Sequence, residues 1–506
     1  MHLYQWLTQV VADRGSEKAL VYRDTYLSWR GLLHRVDRRA QELRSTGIAP
    51  GAWVGLMLGN VPDFVILTLA LSKIEAIVVP LDPTIGAKDL EMVLEAAPLR
   101  ALITRPRGGE VGQPNSGGGS SGTYAGPGSG PVRTGSGPIR PATIVSKFVA
   151  ESRRRLQGTL LTCSLYRRTS QAPFPESGAV MVQFSASVGG DPHGIVRTGA
   201  HVAALTQSLG KTLDIKAGDR ILCAIPLHQG YGFDLGLLTC LASGATLFLE
   251  DEISAKRLAK LLRDHEITFF PGAPALYGAL TRIPTIKPLK IAGARYLSSG
   301  SPLPLAIAEG FHERYGIRPL SLYHSTQAGA LAVDRTGRDP DSVGKAFVDV
   351  ELRIASGEGA KITAGAAGPI WVRSQTLSLL SVPKIRLPSR GAEIAIGATD
   401  SEGWFRTGDL GTLDRAGKLT ITGREDDLVK VDGKRMALGE VEGCLEAFPR
   451  VKAARAHIVI DDVGAPMVVA QVVMESACKP EDIIDHCARF LAPYKVPRQV
   501  EFRDTV

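Results

Sequence analysis

The chain has 506 residues, of which 44% are hydrophobic and 22% charged, and a formal net charge of +8 from 59 basic and 51 acidic side chains. That length exceeds what a single hydrophobic core supports, so two or more domains of an ordinary globular protein are expected. The positive excess is spread along the chain, and its densest run, Arg153-Arg154-Arg155, is too short for the basic stripe or module of a nucleic-acid-binding protein.

In chain order, Leu3, Trp6, Leu7, Val10 and Val11 fall at helical spacing, with Asp13 and Arg14 close behind. This predicts an amphipathic helix and no signal peptide. Strand-like apolar bursts follow at 53–58, 76–81, 180–184 and 220–225, and amphipathic helical patterns occupy 89–96 and 254–265. Alternation of this kind predicts an α/β architecture of parallel sheets with crossover helices. The most apolar run, 65–71, is broken by Ser72, Lys73 and Glu75. It falls far short of the roughly 20 residues of a membrane span. From 343 to 421 short β-like runs at 350–354, 369–372 and 419–421 alternate with turn residues, as in a small β-barrel or distorted sheet. After Gly423 a small α+β unit is expected, with helices near 438–447 and 480–491. The expected division is therefore 1–423 and 424–506.

Residues 108–138 contain twelve glycines with many Ser and Pro. They hold too little apolar surface to order themselves and are expected to form a disordered surface excursion. Within them Ser120-Ser121-Gly122-Thr123 imitates a phosphate-binding loop, but no strand precedes it and no lysine follows. The six cysteines, Cys163, Cys223, Cys240, Cys444, Cys478 and Cys487, lie far apart without a Cys-x-x-Cys pair. That argues against a zinc site or disulfide framework and for a reducing, cytoplasmic setting.

The loop 184–194, Phe-Ser-Ala-Ser-Val-Gly-Gly-Asp-Pro-His-Gly, directly follows a strand-like run. Its small and hydroxyl residues, Ser185, Ser187 and Gly190 among them, let backbone amides approach a polyphosphate closely. Alone it is a Gly/Ser turn. The blocks after it give it meaning: Tyr323-His324-Ser325-Thr326-Gln327, Gly403-Trp404-Phe405-Arg406-Thr407-Gly408-Asp409-Leu410-Gly411, Gly423-Arg424-Glu425-Asp426-Asp427, and Pro493-Tyr494-Lys495-Val496-Pro497. In this order the set resembles the adenylate-forming superfamily of acyl-CoA synthetases, peptide-synthetase adenylation domains and firefly luciferase, over essentially the whole chain. The resemblance implies a large N-terminal domain of two layered α/β sheets plus a small barrel, followed by a mobile C-terminal domain.

It further implies ATP-dependent conversion of a carboxylic acid to an acyl-AMP and then a thioester, with ATP, Mg²⁺ and CoA (or a phosphopantetheinylated carrier protein) taking part. By it, Asp409 would hold the ribose hydroxyls, Arg424 would contact ribose or phosphate, and Ser299-Gly300-Ser301 would underlie the adenine. Tyr323 would stack on that base and Thr326 would touch the α-phosphate. His193 and Lys430 would belong with Thr326 to the catalytic set, and Asp426 would be the hinge. Gly433 and Arg435 would face the CoA channel, and His228, Gln229, Tyr231 and His324 would wall the acyl pocket. Asp234 stands too close ahead of Gly244 for the register of amino-acid-activating relatives, which favours an acid without an α-amino group. His193 replaces the usual lysine, and Gln327 stands in the place of the glutamate that binds Mg²⁺. The chain ends at Val506 before the family's Gly-Lys. Weak adenylation is therefore expected. An acyl- or aryl-CoA ligase is the leading reading, beside a carrier-protein-loading acyl-AMP ligase and a non-catalytic ligand-binding relative.

Overall fold

Runs of strand residues with no polar face set up the architecture. Every residue of the strands Trp53–Met57 and Ile77–Leu81 is buried, as in a parallel sheet covered on both sides. A computed structural model describes residues 3–85, 87–97, 99–105, 150–166, 178–185, 193–284, 288–289, 291–339, 341–356, 359–378, 380–382, 398–425, 428–431, 434–461, 464–476 and 478–503. The excursion 108–138, with its Ser120–Thr123 loop, lies outside the described residues.

Two large sheets dominate. One has the order Leu380–Val382, His193–Thr198, Ala179–Ser185, Ile77–Leu81, Trp53–Met57, Leu99–Thr104, Thr162–Tyr166 and Ala150–Arg155. The other runs Lys345–Ala346, Gly329–Val333, Leu320–Ser325, Arg295–Ser298, Phe269–Gly272, Arg220–Cys223, Thr246–Leu249, Lys18–Tyr22 and Thr25–Ser28. The centres are parallel, as expected, but the edges turn antiparallel. Connection length explains the difference. Only 186–192 separate Ala179–Ser185 from His193–Thr198, too few for the crossover of about a dozen residues that parallel pairing needs. The expected basic run Arg153-Arg154-Arg155 lies on the sheet-edge strand Ala150–Arg155 and is exposed, where charge discourages edge-to-edge pairing.

The apolar run 65–71 lies in helix Pro62–Lys73, which is buried from Phe64 through Ser72. A helix apolar all round belongs inside, and Pro62 opens it where a missing N–H costs nothing. Ser254 caps helix Ala255–Asp264 by accepting from the Arg257 amide. No helix among the described residues is long and apolar enough to cross a membrane.

The strands Val350–Ile354, Gly368–Ser374, Phe405–Leu413 and Leu419–Arg424 form a four-stranded antiparallel sheet, half of a barrel. Beyond it come the hairpin Leu428–Val431/Lys434–Ala437, helix Leu438–Glu446, strands Val451–Ile460, Pro466–Met474 and Gln499–Phe502, and helix Pro480–Phe490. These share a core of their own, including Val431, Met436, Leu445, Val472 and Ile483, with no residue before Val431.

Beyond the strand pairing at Arg424 and Glu425, contacts among the described residues that seat this C-terminal unit on the rest include the following. Lys434 pairs with Asp82. Lys495, its side chain only 5% exposed, bonds Glu440 of its own unit at 2.8 Å and Asp89 of helix Ala87–Ala96 at 3.1 Å. Burial opposes the charge on Lys495, but Tyr494, Asp89 and Glu440 outweigh it and hold the amine above its ordinary pKa. Finally, Gly464, at the tip of the hairpin Val451–Ile460/Pro466–Met474, lies so close to Ile307 and Pro304 that a Cβ there would collide.

Candidate active site

Several residues expected to bind the nucleotide converge through sheet register. Asp409 and Arg424 are direct partners across antiparallel strands, and the guanidinium pairs with the Asp409 carboxylate. The Tyr323 hydroxyl, at the end of a strand of the nine-stranded sheet, donates to the other carboxylate oxygen. Both Asp409 and Tyr323 are buried. The Asp409 amide donates to Thr407 Oγ1 at 3.1 Å, which fixes the turn, and Gly408 adopts a φ of 79° that disfavours a side chain. Arg406 and Glu425 pair beside it.

Ser299, Gly300 and Ser301 follow strand Arg295–Ser298 at its carboxyl end, where open α/β sheets bind ligands. The Ser298 hydroxyl, one residue earlier, is buried and has no hydrogen-bond partner among the described residues. Thr326 lies at the turn after strand Leu320–Ser325, and its side chain approaches Gly230. Gln327 follows, its backbone oxygen accepting from Ser378 at 2.8 Å. Ser187 and Gly190 lie outside the described residues, as do the side chains of Ser185 and His193, whose backbones are Cα partners across the strands flanking the loop.

On the acyl side, Asn60 clamps the stretch 223–227. Its amide nitrogen donates to the Cys223 and Ile225 carbonyls at 3.1 and 2.9 Å, and its oxygen accepts from the Leu227 amide at 2.7 Å. This fixes His228, Gln229, Gly230 and Tyr231. A Cβ on Gly230 would stand 3.3 Å from both His324 and Thr326, so glycine permits that approach. The Tyr231 ring lies 5.6 Å from His324, and its hydroxyl donates to Leu297 at 3.3 Å.

Behind His324 sits a charged cluster with almost no access to water. Asp234 lies within the π-helical turn Phe233–Leu238 and is 0% exposed; it bonds Arg197, 2% exposed, at 2.6 Å and His324 Nε2 at 2.9 Å. Arg197 also donates to Gln183 at 3.0 Å. Burial would raise the Asp234 carboxyl, but Arg197 and His324 outweigh it and hold its pKa below the ordinary value. Asp234 is thus committed inside the protein, whereas a substrate ammonium would need it available.

Lys434, on the C-terminal hairpin, reaches Asp82 at the end of strand Ile77–Leu81, and Asp82 lies 3.7 Å from His228 Nε2. Burial drives the His228 ring down to about 4, so it is neutral at physiological pH. Burial would raise the Asp82 carboxyl, but His228 when protonated and, after it, Lys434 hold it down at about 2; with His228 neutral, Lys434 is the cation beside it at physiological pH. Lys430 and Arg435 are Cα partners in this hairpin. Their side chains lie outside the described residues, as do Asp426 and Gly433 entirely.

Sequence reasoning missed Arg197, Gln183, Asp82, Asn60 as a clamp, and Lys434 as the pairing residue of its loop. Arg197 carried a signal, since a single charge amid Ile195 and Val196 on a buried strand requires a counter-charge. No group of three or more His, Cys, Asp or Glu among the described residues could hold a metal ion.

Two layered α/β sheets with a half-barrel, and a family match over most of the chain, define an enzyme of the adenylate-forming class. The AMP-binding enzyme family matches residues 7–379, and the chain belongs to it. It is similar to a methyl-dioxo-octahydroindenyl-propanoyl:CoA ligase of Rhodococcus jostii, 25% identical over 99% of this chain and 94% of the relative. The long-chain-fatty-acid–CoA ligase FadD13 of Mycobacterium tuberculosis is 24% identical over 96% of this chain and 90% of its own. Among solved structures, the amide bond synthetase McbA of Marinactinospora thermotolerans matches with a TM-score of 0.79 and 23% identity, over 100% of this chain and 96% of that one.

Proposed function

We propose that this chain is an ATP-dependent acyl- or aryl-CoA ligase. In the first step a carboxylate oxygen of the acid attacks the α-phosphorus of ATP, and pyrophosphate leaves. In the second the CoA thiol attacks the acyl carbonyl carbon, AMP leaves, and the thiol proton passes to solvent. One observation carries the reading: the Tyr323–Asp409–Arg424 cluster and the acyl-side stretch at His228 border one region, and the C-terminal hairpin is docked onto that region through Lys434 and Asp82.

In this scheme Asp409 holds the ribose diol, with Tyr323 and Arg424 fixing its orientation. Thr326 and the loop around Ser185, Ser187, Gly190 and His193 hold the phosphates. Gly433, Arg435 and Lys430 belong to the hairpin along which the acceptor arm reaches the acyl group. Magnesium, carried by the nucleotide, would neutralise charge on the phosphates, and Gln327 would offer it an oxygen. Residues 424–506 act as the moving unit, with the joint at Asp426.

The acid remains to be chosen. One similar ligase is named for a dioxo bicyclic propanoate and another for long-chain fatty acids, at nearly equal identity. A free CoA acceptor is favoured by the ligases among the relatives; a carrier-bound pantetheine arm is the alternative. A second reading is favoured by Gln327 and His193, which supply no fixed charge where phosphates would lie. Under it the chain binds acyl or nucleotide ligands but adenylates slowly.

The deciding experiment incubates the protein with ATP, Mg²⁺ and a panel of alkyl and aryl acids, with and without CoA, and quantifies acyl-AMP and thioester by mass spectrometry. Thioester formed only when CoA is present supports the ligase. Acyl-AMP that accumulates and moves only to a holo carrier protein supports the alternative acceptor. No adenylate with any acid supports the binding-only reading.

A further inference from the structure

Two adjacent side chains on the acyl side carry buried polar atoms that nothing among the described residues satisfies: both ring nitrogens of His228 and Nε2 of Gln229. Native structures rarely leave such groups unpaired, and those that remain usually await a ligand or water. The His228 side chain is only 10% exposed. Asp82, its nearest charged neighbour, stands 3.7 Å away, beyond hydrogen-bond distance, and is committed to Lys434. A neutral imidazole offers one N–H and one lone pair, and a glutamine amide nitrogen offers two N–H groups.

Relaxation within the protein does not readily supply partners. Asn60 holds the preceding backbone by three hydrogen bonds, so His228 and Gln229 start from a fixed frame. The charged cluster nearby is closed on itself. Asp234 is shared between Arg197 and His324, and Arg197 is further bound to Gln183. No charge in that cluster awaits an ammonium or a second carboxylate. The unpaired polar atoms of His228 and Gln229 are therefore neutral, with more N–H groups than lone pairs.

We propose that the acid activated here carries a neutral hydrogen-bond acceptor, an oxo or hydroxyl group on its chain or ring, which pairs with Gln229 Nε2 and His228. Plain hydrocarbon acyl groups and amino acids are thereby disfavoured. This rests on the acid-activating reading given above and deepens it. The physical basis is asymmetric: a pocket built to hydrogen-bond a substrate group rejects the analogue lacking it, because its own buried donors are then stranded. One amide and one slightly accessible imidazole should give a preference of about 10- to 100-fold.

The test uses unreactive acyl-sulfamoyl-adenosines, so that binding is read whether or not turnover occurs. A parent alkyl compound is compared by calorimetry with oxo and hydroxy derivatives bearing the group at successive carbons, and a phenylpropanoyl compound with its ring-hydroxylated forms. At least one derivative should bind about 10- to 100-fold tighter than its parent. Gln229→Leu should bring that ratio to within about threefold, and Gln229→Met serves in its place if the leucine variant does not fold. Equal binding across the whole series would overturn the proposal, because water would then be meeting these groups. A preference that survives both substitutions would overturn it as well. The two readings fail separately. A clear preference with no thioester from any acid rejects the ligase and keeps this proposal, whereas thioester turnover with equal binding does the reverse.

Discussion

Replacing Asp234 by Asn removes one charge while keeping the shape of the side chain, and the structure fixes how much this should matter. Arg197 would keep a hydrogen-bond acceptor but lose its counter-charge at a position only 2% exposed. Removing one partner of a buried ion pair costs about 3–5 kcal/mol, and the retained amide acceptor argues for the lower end, about 3 kcal/mol. With a urea dependence of about 3 kcal/mol per molar, the unfolding midpoint should fall by about 1 M. All five tryptophans lie at or before Trp404, so their fluorescence follows the sheets that carry this cluster. The pH dependence adds a second constraint. Asp234 is held below its ordinary value of 3.8 because Arg197 and His324 outweigh burial. A carboxyl with a depressed folded pKa contributes stability that is present above the ordinary value and lost as pH falls through the folded one. The gap between wild type and Asp234→Asn should therefore stay constant from pH 7 to 5 and close only below about 4. Exchanging both partners, as in Arg197→Met with Asp234→Leu, should recover most of the loss. A gap under about 1 kcal/mol at pH 7, or one already closed at pH 5, would refute this account.

Asp409→Ala should weaken binding of AMP or an acyl-AMP analogue by about 1.5–3 kcal/mol, roughly 10- to 100-fold, by calorimetry; unchanged affinity removes Asp409 from the nucleotide site. Gln327→Glu should lower the Mg²⁺ concentration giving half-maximal adenylation. If it instead alters which acid is accepted at unchanged Mg²⁺ dependence, Gln327 is a pocket residue. Lys495→Met should strand Asp89 and Glu440 at a cost of about 3 kcal/mol and speed amide exchange in 438–446 and 480–503, with Glu440→Gln as a partial rescue. No change in exchange would mean the lysine does not hold the C-terminal unit. His228 is depressed from 6.5 to about 4 by burial, so the folded state gains from its neutrality above 6.5 and loses on the order of 3 kcal/mol as pH falls to 4. His228→Gln should flatten that part of the stability profile, and an identical acid decline in the two proteins would contradict the assignment.

Local periodicity and terminators carried most of the fold. The alternation of apolar bursts with amphipathic helical patterns announced layered sheets, because burial on both faces leaves a continuous apolar run whatever the partners are. What stayed hidden was pairing across long stretches of chain. Nothing local marks Asp82 as the partner of Lys434 or Asp89 as the partner of Lys495. Asp234 drew attention beside Phe233, yet its saturation by Arg197 and His324 depends on strands brought together only by tertiary packing. The antiparallel edges were concealed for a related reason. Strand composition reports burial, whereas direction is set by the length of the connection.

The contacts at Lys434, Lys495 and Gly464 that help seat the C-terminal unit differ in their response to salt. Lys434–Asp82 is the more accessible of the two ion pairs, Lys495 is nearly sealed from water, and Gly464 against Ile307 is purely steric. Mobile ions screen the accessible pair first and the sealed one least. High ionic strength should therefore loosen the strands Leu428–Val431 and Lys434–Ala437 from Asp82 before the contacts at Lys495 and Gly464 give way. Salt would thus act on one side of the unit first, a graded release rather than a single separation.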